Sequence, residues 1–236
     1  MPNTKVTKQK WKDHLFYSRK TYLIGILVSI ALASLIFSVT RYIPDNEYAV
    51  QIELVDSYVD VTKLDADKDL LFEYGKEFDS SLEEVSFLSI PFSGDGTKDY
   101  EGSQVYTVQV YAGDNDIFIQ NETLTQNMIK TGYCMPLETL EGFNEFNQKF
   151  GQYVIWQEEP REEEEGEEAE ESEETETEII PTHAYAVDMS SLLGFNNRAA
   201  YDIRGKYGVI TVTSKNAETS FHVLTRMFDI FMPEGE

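Results

Sequence analysis

Cysteine is almost absent from this sequence of 236 residues, which contains Cys134 and no other. An internal disulfide is therefore excluded, since it would need two cysteines. Cys134 lies between Tyr133 and Met135, and we predict a small buried hydrophobe there rather than a nucleophile. If the domain lies outside the cytoplasm, the lack of disulfides favours a bacterial source.

Positive charge is scarce after the first forty-one residues. Residues 1–41 contain seven Lys or Arg and a single acid, Asp13. Because the whole chain carries −24, residues 42–236 carry about −30. A surface of that charge repels phosphate backbones and anionic lipid headgroups, so the composition excludes a nucleic-acid-binding protein.

Sequence motifs for catalysis and metal binding are also missing. There is no phosphate-binding glycine motif, no Gly-x-Ser-x-Gly elbow and no His-Glu-x-x-His. Asp65–Asp69 begins like a calcium loop, but Leu70 and Lys76 stand where that loop needs Gly and Glu. His183 and His222 lack the spacing of metal ligands. We therefore expect no metal, no cofactor and no enzymatic activity, with an anchored hydrolase as the remaining alternative.

A long uncharged run is present near the N-terminus, from Thr21 to Thr40. A helix of that length covers about 30 Å, the thickness of the hydrocarbon core of a bilayer. Six bases precede the run within residues 1–20, while Arg41 alone follows it closely. The excess of bases predicts a single-pass protein of the cell membrane with residues 1–20 in the cytoplasm and residues 45–236 outside.

Two other interpretations of this run were weighed against the membrane anchor. Ala31-Leu32-Ala33 fits the pattern of a signal-peptide cleavage site, but Leu35, Ile36 and Phe37 continue the apolar run beyond it. Cleavage near Ala33 stays open. A buried core helix is disfavoured by the uncharged length and by the flanking bases.

A low-complexity acidic segment interrupts the outer part at residues 157–181. Fourteen Glu and a single basic residue, Arg161, lie between Glu158 and Glu178. Apolar residues are nearly absent and the charges repel one another, so the composition predicts a disordered, solvated loop. Weak binding of Ca²⁺ by its carboxylates is the functional alternative.

The remaining sequence alternates strand patterns with helix patterns. Strands are predicted at residues 48–61, 84–92, 116–119, 185–189 and 207–213. Helices are predicted at residues 70–78, after the N-cap Asn121 as far as Gly132, and after the N-cap Asn216. Ser103–Ala112 fits a strand by composition and a helix by spacing. The pattern favours an α/β fold, a mainly parallel sheet flanked by helices.

Three stretches together resemble type 2 periplasmic solute-binding proteins. They are Tyr111–Glu138 with its Ala-Gly-Asp and Pro-Leu elements, Tyr185–Ser190, and Gly205–Ser220 with its apolar run before Ser-Lys-Asn-Ala-Glu. The resemblance implies that Ser103–Ala112 is helical. The resemblance covers residues 84–231 without the acidic segment. It also implies two lobes around a ligand cleft, whereas the roughly 170 residues that follow the membrane segment, without the acidic segment, amount to about one lobe with additions.

The resemblance also implies where a ligand would bind, at loops and helix N-termini on the carboxyl edge of the sheet. The residues of this sequence that fall at that edge are Ser93, Gly94, Asn121, Ser190 and Ser191. Because the outer part is strongly acidic, the expected ligand is a neutral or cationic small molecule.

Two hypotheses about function follow from these observations. The first is a membrane-anchored, non-catalytic binding or interaction module that resembles part of a solute-binding protein. The second is an accessory subunit of a bacterial envelope complex for transport, secretion or conjugation, in contact with a protein partner. Ser29, Ala31, Ala33 and Ser34 would offer small residues for helix packing in that case.

Overall fold

The computed structural model describes residues 7–40, 44–113, 115–159 and 181–232, which form two compact units divided after Ile43. The first unit contains helices α1 (Lys8–Tyr17) and α2 (Arg19–Thr40). Arg41 and nearly all of the predicted acidic loop lie outside the described residues. The loop prediction therefore stays a prediction.

Helix α2 is the segment predicted to cross a membrane. It has 22 residues, a mean hydropathy of 2.5 in its most apolar part, and no residue buried against protein. By length and composition α2 could span a bilayer, which is consistent with the sequence analysis. Helix α1, in the basic tail, was not predicted.

The second unit contains a six-stranded sheet and six helices among the described residues. The strands are β1 (Ala49–Val55), β2 (Glu84–Ile90), β3 (Ile117–Asn121), β4 (Val154–Glu158), β5 (Thr182–Asp188) and β6 (Lys206–Ile210). The helices are α3 (Asp65–Phe78), α4 (Tyr100–Ala112), α5 (Glu122–Lys130), α6 (Phe143–Phe150), α7 (Gly194–Asn197) and α8 (Ala217–Phe231).

The sheet is mixed, with the strand order β2-β1-β3-β6-β5-β4. Strand β1 pairs in parallel with β2 and β3, whereas the β3–β6, β6–β5 and β5–β4 pairs are antiparallel. The α/β class and the flanking helices are confirmed. The prediction of a mainly parallel sheet is wrong, because hydrophobic patterns do not record the direction of a strand and because β4 was not predicted.

Helices cover both faces of the sheet, since strands such as β3 are apolar on both sides. On one face, Ile117 and Ile119 pack with residues of α3, α6 and α8 such as Leu71, Phe146 and Phe228. On the other face, Phe118 packs with residues of α4 and α5. The fold therefore has three layers, with α3, α6 and α8 together on one side.

Several predicted elements are present with different bounds. The first strand ends at Val55 rather than residue 61, and α3 begins at Asp65 rather than residue 70. Ser103–Ala112 is helical, as the resemblance implied. Asp99 caps this helix by accepting a hydrogen bond from the backbone N–H of Gly102.

The prediction that the side chain of Asn216 caps α8 is wrong. The side chain makes no capping bond. Instead its amide donates to the carbonyl oxygens of Asn46, at 2.6 Å, and Ala49, at 2.8 Å. Asn216 therefore joins the start of α8 to the start of β1.

Glu53 lies near the middle of β1 with only 2% of its surface exposed, and its Oε2 has no hydrogen-bond partner among the described residues. On the adjacent strands its partners in register are Leu88 and Phe118, which offer no charge. Burial raises the pKa of the Glu53 carboxyl to about 7. The folded domain therefore holds this proton at a pH where the unfolded chain has released it.

We predict that Glu53→Gln stabilises the domain at pH 8 and leaves it nearly unchanged at pH 4.5. Since the folded-state pKa is the higher one, the wild type loses stability as pH rises from 4.5 to 7, by about 3 kcal/mol for a shift of this size. The glutamine cannot lose a proton, so it escapes this loss. Urea unfolding of residues 44–236, followed by Trp156 fluorescence, measures the free energy of unfolding of both proteins at each pH.

Glu73→Gln is the matched control, because Glu73 is exposed on α3. It should change stability by less than about 0.5 kcal/mol at either pH. An equal effect of Glu53→Gln at both pH values would contradict the assignment of Glu53 as a protonated core residue.

Candidate functional site

The structure brings together three of the five residues predicted at the carboxyl edge of the sheet. The Asn121 amide donates to the carbonyl oxygen of Ser93 at 3.1 Å, and its Oδ1 accepts the N–H of Leu124 at 3.0 Å. Gly94 has φ +91°, and a Cβ there would lie 2.5 Å from Nδ2 of Asn121. The side chain of Asn121 therefore makes two structural hydrogen bonds: one caps α5 and the other anchors the loop at Ser93.

Ser190 and Ser191 lie elsewhere along the same edge. Strand β6 separates β3 from β5, so the ends of β3 and β5 are about 10 Å apart. The hydroxyl of Ser190 accepts the N–H of Gly205 at 3.0 Å, and the hydroxyl of Ser191 is buried with no partner in the part of the chain that the structure describes. The five residues thus form two separate groups. That they bind a ligand stays a prediction.

Between these groups the edge is closed by an ion pair. Nζ of Lys206 lies 2.5 Å from Oδ2 of Asp56 and above the ring of Tyr201. The Tyr201 hydroxyl donates to the carbonyl oxygens of Val55 and Ile119. These contacts occupy the ends of β1 and β3, where an α/β sheet commonly takes a ligand.

A pocket of about 340 Å³ lies instead in the layer of α3, α6 and α8. Most of its lining is aromatic or acidic, and the residues are Tyr74, Glu141, Gly142, Glu145, Phe146, Lys149, Phe150, Phe221, His222 and Thr225. Its size and its apolar surface with a few polar groups are typical of small-molecule sites. None of its lining residues was predicted from the sequence as a ligand-binding residue.

Buried aromatic rings form the floor of this pocket. Phe146 lies 5.5 Å from Phe221 and 5.3 Å from Phe150, measured between ring centroids. All three are buried members of the core shared by α6 and α8. These rings are packed from behind and at most 6% exposed, so the floor is preformed and only a small part of each ring faces the cavity.

His222 forms one wall of the pocket. Its ring stacks on Phe78 with centroids 3.7 Å apart. Gly142 has φ +83°, and a Cβ there would lie 3.3 Å from Cε1 and 3.6 Å from Nε2 of His222. The Nε2 atom is buried without a partner among the described residues. Burial lowers the pKa of His222, against the opposing influence of Glu141, Glu218 and Glu145; the imidazole is therefore neutral at pH 7.

Acidic groups outnumber free cations around the pocket. Glu141 and Glu145 line it directly, and the carboxylate of Glu218 accepts the backbone N–H of Glu141 at 2.6 Å. Lys149 also lines it, but its ammonium lies 2.5 Å from Oδ1 of Asp229. Glu141 and Glu145, which we call the acidic rim, have no ion-pair partner within the described residues.

The residues considered from the sequence for catalysis or metal binding are buried, paired or part of a helix in the structure. Cys134 is buried, which raises its pKa to about 12, and it is not a nucleophile at neutral pH. Nδ1 of His183 lies 2.5 Å from Oε1 of Glu138, whose Oε2 accepts the N–H of Ala184. Asp65–Asp69 is the first turn of α3. Among the described residues, no group of three or more potential ligands is placed to hold a metal.

Comparison with protein-family models, with curated proteins and with solved structures finds no match to this chain. The candidate site therefore depends on its own geometry. One signal in the sequence pointed to it: Phe143, Phe146 and Phe150 recur at steps of three and four directly after Gly142, which is the pattern of an amphipathic helix. Which other helices that stripe would face could not be read from the pattern.

We predict that Asn121→Ala lowers the free energy of unfolding by about 1–2 kcal/mol, because both the cap of α5 and the anchor to Ser93 are lost. Gly94→Ala should be more damaging in the wild type than in the Asn121→Ala background, where the contact with Nδ2 no longer exists. Urea unfolding of the four proteins of this double-mutant cycle measures the coupling. Strictly additive effects would show that the two residues do not act as a pair.

Proposed function

We propose that this protein is a membrane-anchored, non-catalytic binding module whose ligand site is the pocket between α3, α6 and α8. The observation that carries the proposal is the pocket itself, with its preformed aromatic floor and acidic rim. The ligand is a small molecule, since a cavity of about 340 Å³ falls in the range of such sites. The absence of catalytic sequence motifs supports a binding rather than an enzymatic role.

The proposed location of the module is outside the cytoplasm, with α2 in the cell membrane. The support comes from the length of α2 and from the bases that precede it within residues 1–20. In this orientation the acidic domain faces away from the anionic cytoplasmic leaflet, which would repel it.

The resemblance to one lobe of a solute-binding protein agrees with a binding role, but it would place the ligand at the carboxyl edge of the sheet. The internal bonds of Asn121, Ser190 and Lys206 favour the helical pocket over that edge. A lone lobe with its own pocket would not need a second lobe to enclose a ligand.

An accessory subunit of a bacterial envelope complex is the second candidate, and the surface of α4 favours it. Val105, Val108 and Tyr111 of this helix are 45%, 64% and 61% exposed, although the helix lies in a folded domain. Such an apolar surface is typical of a protein contact. This candidate would have a partner protein bound at α4 and at α2.

The orientation predicts that protease added to intact spheroplasts digests residues 45–236 while an epitope tag at Met1 survives. The tag should become accessible only after the membrane is permeabilised, because it lies behind the bilayer. Immunoblotting measures how much of the tag and how much of the domain survive before and after permeabilisation. Survival of the domain in intact spheroplasts would reverse the orientation.

The pocket predicts that Thr225→Trp abolishes ligand binding without unfolding the protein. Thr225 lines the pocket and is only half-buried, so a large ring there would fill the cavity. A thermal-shift screen of the full chain in uncharged detergent, against neutral, cationic and anionic small molecules, gives the ligands to test. Gln148→Trp is the matched control, since Gln148 is exposed on α6 outside the pocket. Equal binding by both variants would place the site elsewhere.

A further inference from the structure

The lining of the pocket between α3, α6 and α8 combines two features that together define a class of ligand. One is the floor of phenylalanine rings, which suits an apolar body. The other is the acidic rim, which suits a positive charge. The inference below rests on the proposed function and specifies the ligand of that site.

Neither carboxylate that lines the rim is neutralised. In the part of the chain that the structure describes, no ion pair joins the side chains of Glu141 or Glu145 to a base. Both residues, with Glu218, act electrostatically on His222, so their negative potential reaches the wall of the pocket. A ligand that brings one positive charge would relieve the repulsion among these three groups.

The cations nearest to the pocket already have partners. Asp229 pairs with Lys149 at 2.5 Å and with Arg226 at 3.3 Å. The Arg226 guanidinium also lies 5.2 Å from the ring centroid of Tyr74, and the Lys149 ammonium 4.7 Å from that of Phe150. Both cations are thus held within the protein by Asp229 and by an aromatic ring, and neither forms an ion pair with Glu141 or Glu145 among the described residues.

An organic cation fits this site better than the alternatives. An anion would meet Glu141 and Glu145 and the field of a chain that carries −24. A divalent metal would need three or more converging ligands, and no such group exists among the residues described. A neutral apolar molecule would use the floor but leave the two rim carboxylates unpaired.

We propose that the pocket binds a small organic amine, with its ammonium group at Glu141 and Glu145 and its apolar body against Phe146, Phe150 and Phe221. The volume of about 340 Å³ accommodates one aromatic ring or a short alkyl chain. Selectivity comes from the rim, and the apolar floor contributes affinity to any body of that size.

Three probes that share one body and differ in charge test the proposal: 2-phenylethylamine, 2-phenylethanol and 3-phenylpropionate. Isothermal titration calorimetry is done on the full chain in uncharged detergent at pH 7. We expect the amine to bind about tenfold more tightly than the alcohol and the propionate not to bind. In the double variant Glu141→Gln/Glu145→Gln, affinity for the amine should fall about fivefold, with the alcohol unchanged.

Glu101→Gln is the control for a general loss of negative charge, because Glu101 is exposed on α4 in the opposite layer. It should leave amine affinity unchanged. Equal binding of amine and alcohol, or an equal loss in the Glu101 variant, would overturn the amine proposal while leaving the pocket as a binding site. If none of the three probes binds, both the amine proposal and the proposed function of this pocket fail.

Discussion

The antiparallel ladder between β3 and β6 determines where the helices of this domain can lie. Because β6 runs against β3, its C-terminal end, and with it the start of α8, is at the amino end of β1. The amide of Asn216 fixes this arrangement through the carbonyl oxygens of Asn46 and Ala49. Helix α8 then packs beside α3 and α6, and the pocket is formed among these three helices. A parallel β6 would have placed α8 at the other edge of the sheet.

The same arrangement explains why the carboxyl edge of the sheet is closed. With α8 starting at the opposite edge, the end of β1 and the start of β6 meet loops, and the end of β3 leads directly into α5. Lys206 pairs there with Asp56, and Tyr201 bonds to the ends of β1 and β3. At this edge Asn121, Ser190 and Lys206 all bond within the protein, whereas Glu141 and Glu145 at the rim of the helical pocket have no ion-pair partner among the described residues. The proposed location of the binding site follows from this contrast between the bonded edge of the sheet and the unpaired carboxylates of the pocket.

Most of the acidic side chains that the structure describes are exposed, and a few are buried. The surface carries most of the negative charge, and exposed carboxylates are solvated at little cost. Glu53, Asp67 and Asp116 are buried instead. Asp67 pairs with Arg198 and Asp116 accepts hydrogen bonds from Gln51 and Ser214, whereas Oε2 of Glu53 has no partner among the described residues and its raised pKa favours the protonated form. Glu141 and Glu145 are exposed and line an aromatic cavity, where we propose that their charge selects a cationic ligand.

The sequence by itself determined the elements whose signals are local. The apolar length of residues 21–40 predicted α2, Asn121 predicted the cap of α5, and the alternating or continuous apolar runs predicted five of the six strands. These signals depend on neighbours a few residues away, through hydrogen bonds of one turn or the two-residue period of a strand. The sequence analysis missed strand β4 and the helices α6 and α7, although the spacing of Phe143, Phe146 and Phe150 is a local signal for α6.

The tertiary structure alone decided strand direction, strand order and therefore the site. Tyr74, Glu145 and His222 are separated by about seventy residues each, and no local pattern records that their helices share one face of the sheet. The predicted edge residues show the converse: Ser93, Gly94 and Asn121 do meet, but the contact between them uses up the polar atoms that were expected to bind a ligand. Hydrogen bonds and ion pairs join residues that are distant in the sequence. The sequence therefore shows which residues are polar, but not which of them remain unpaired in the folded domain.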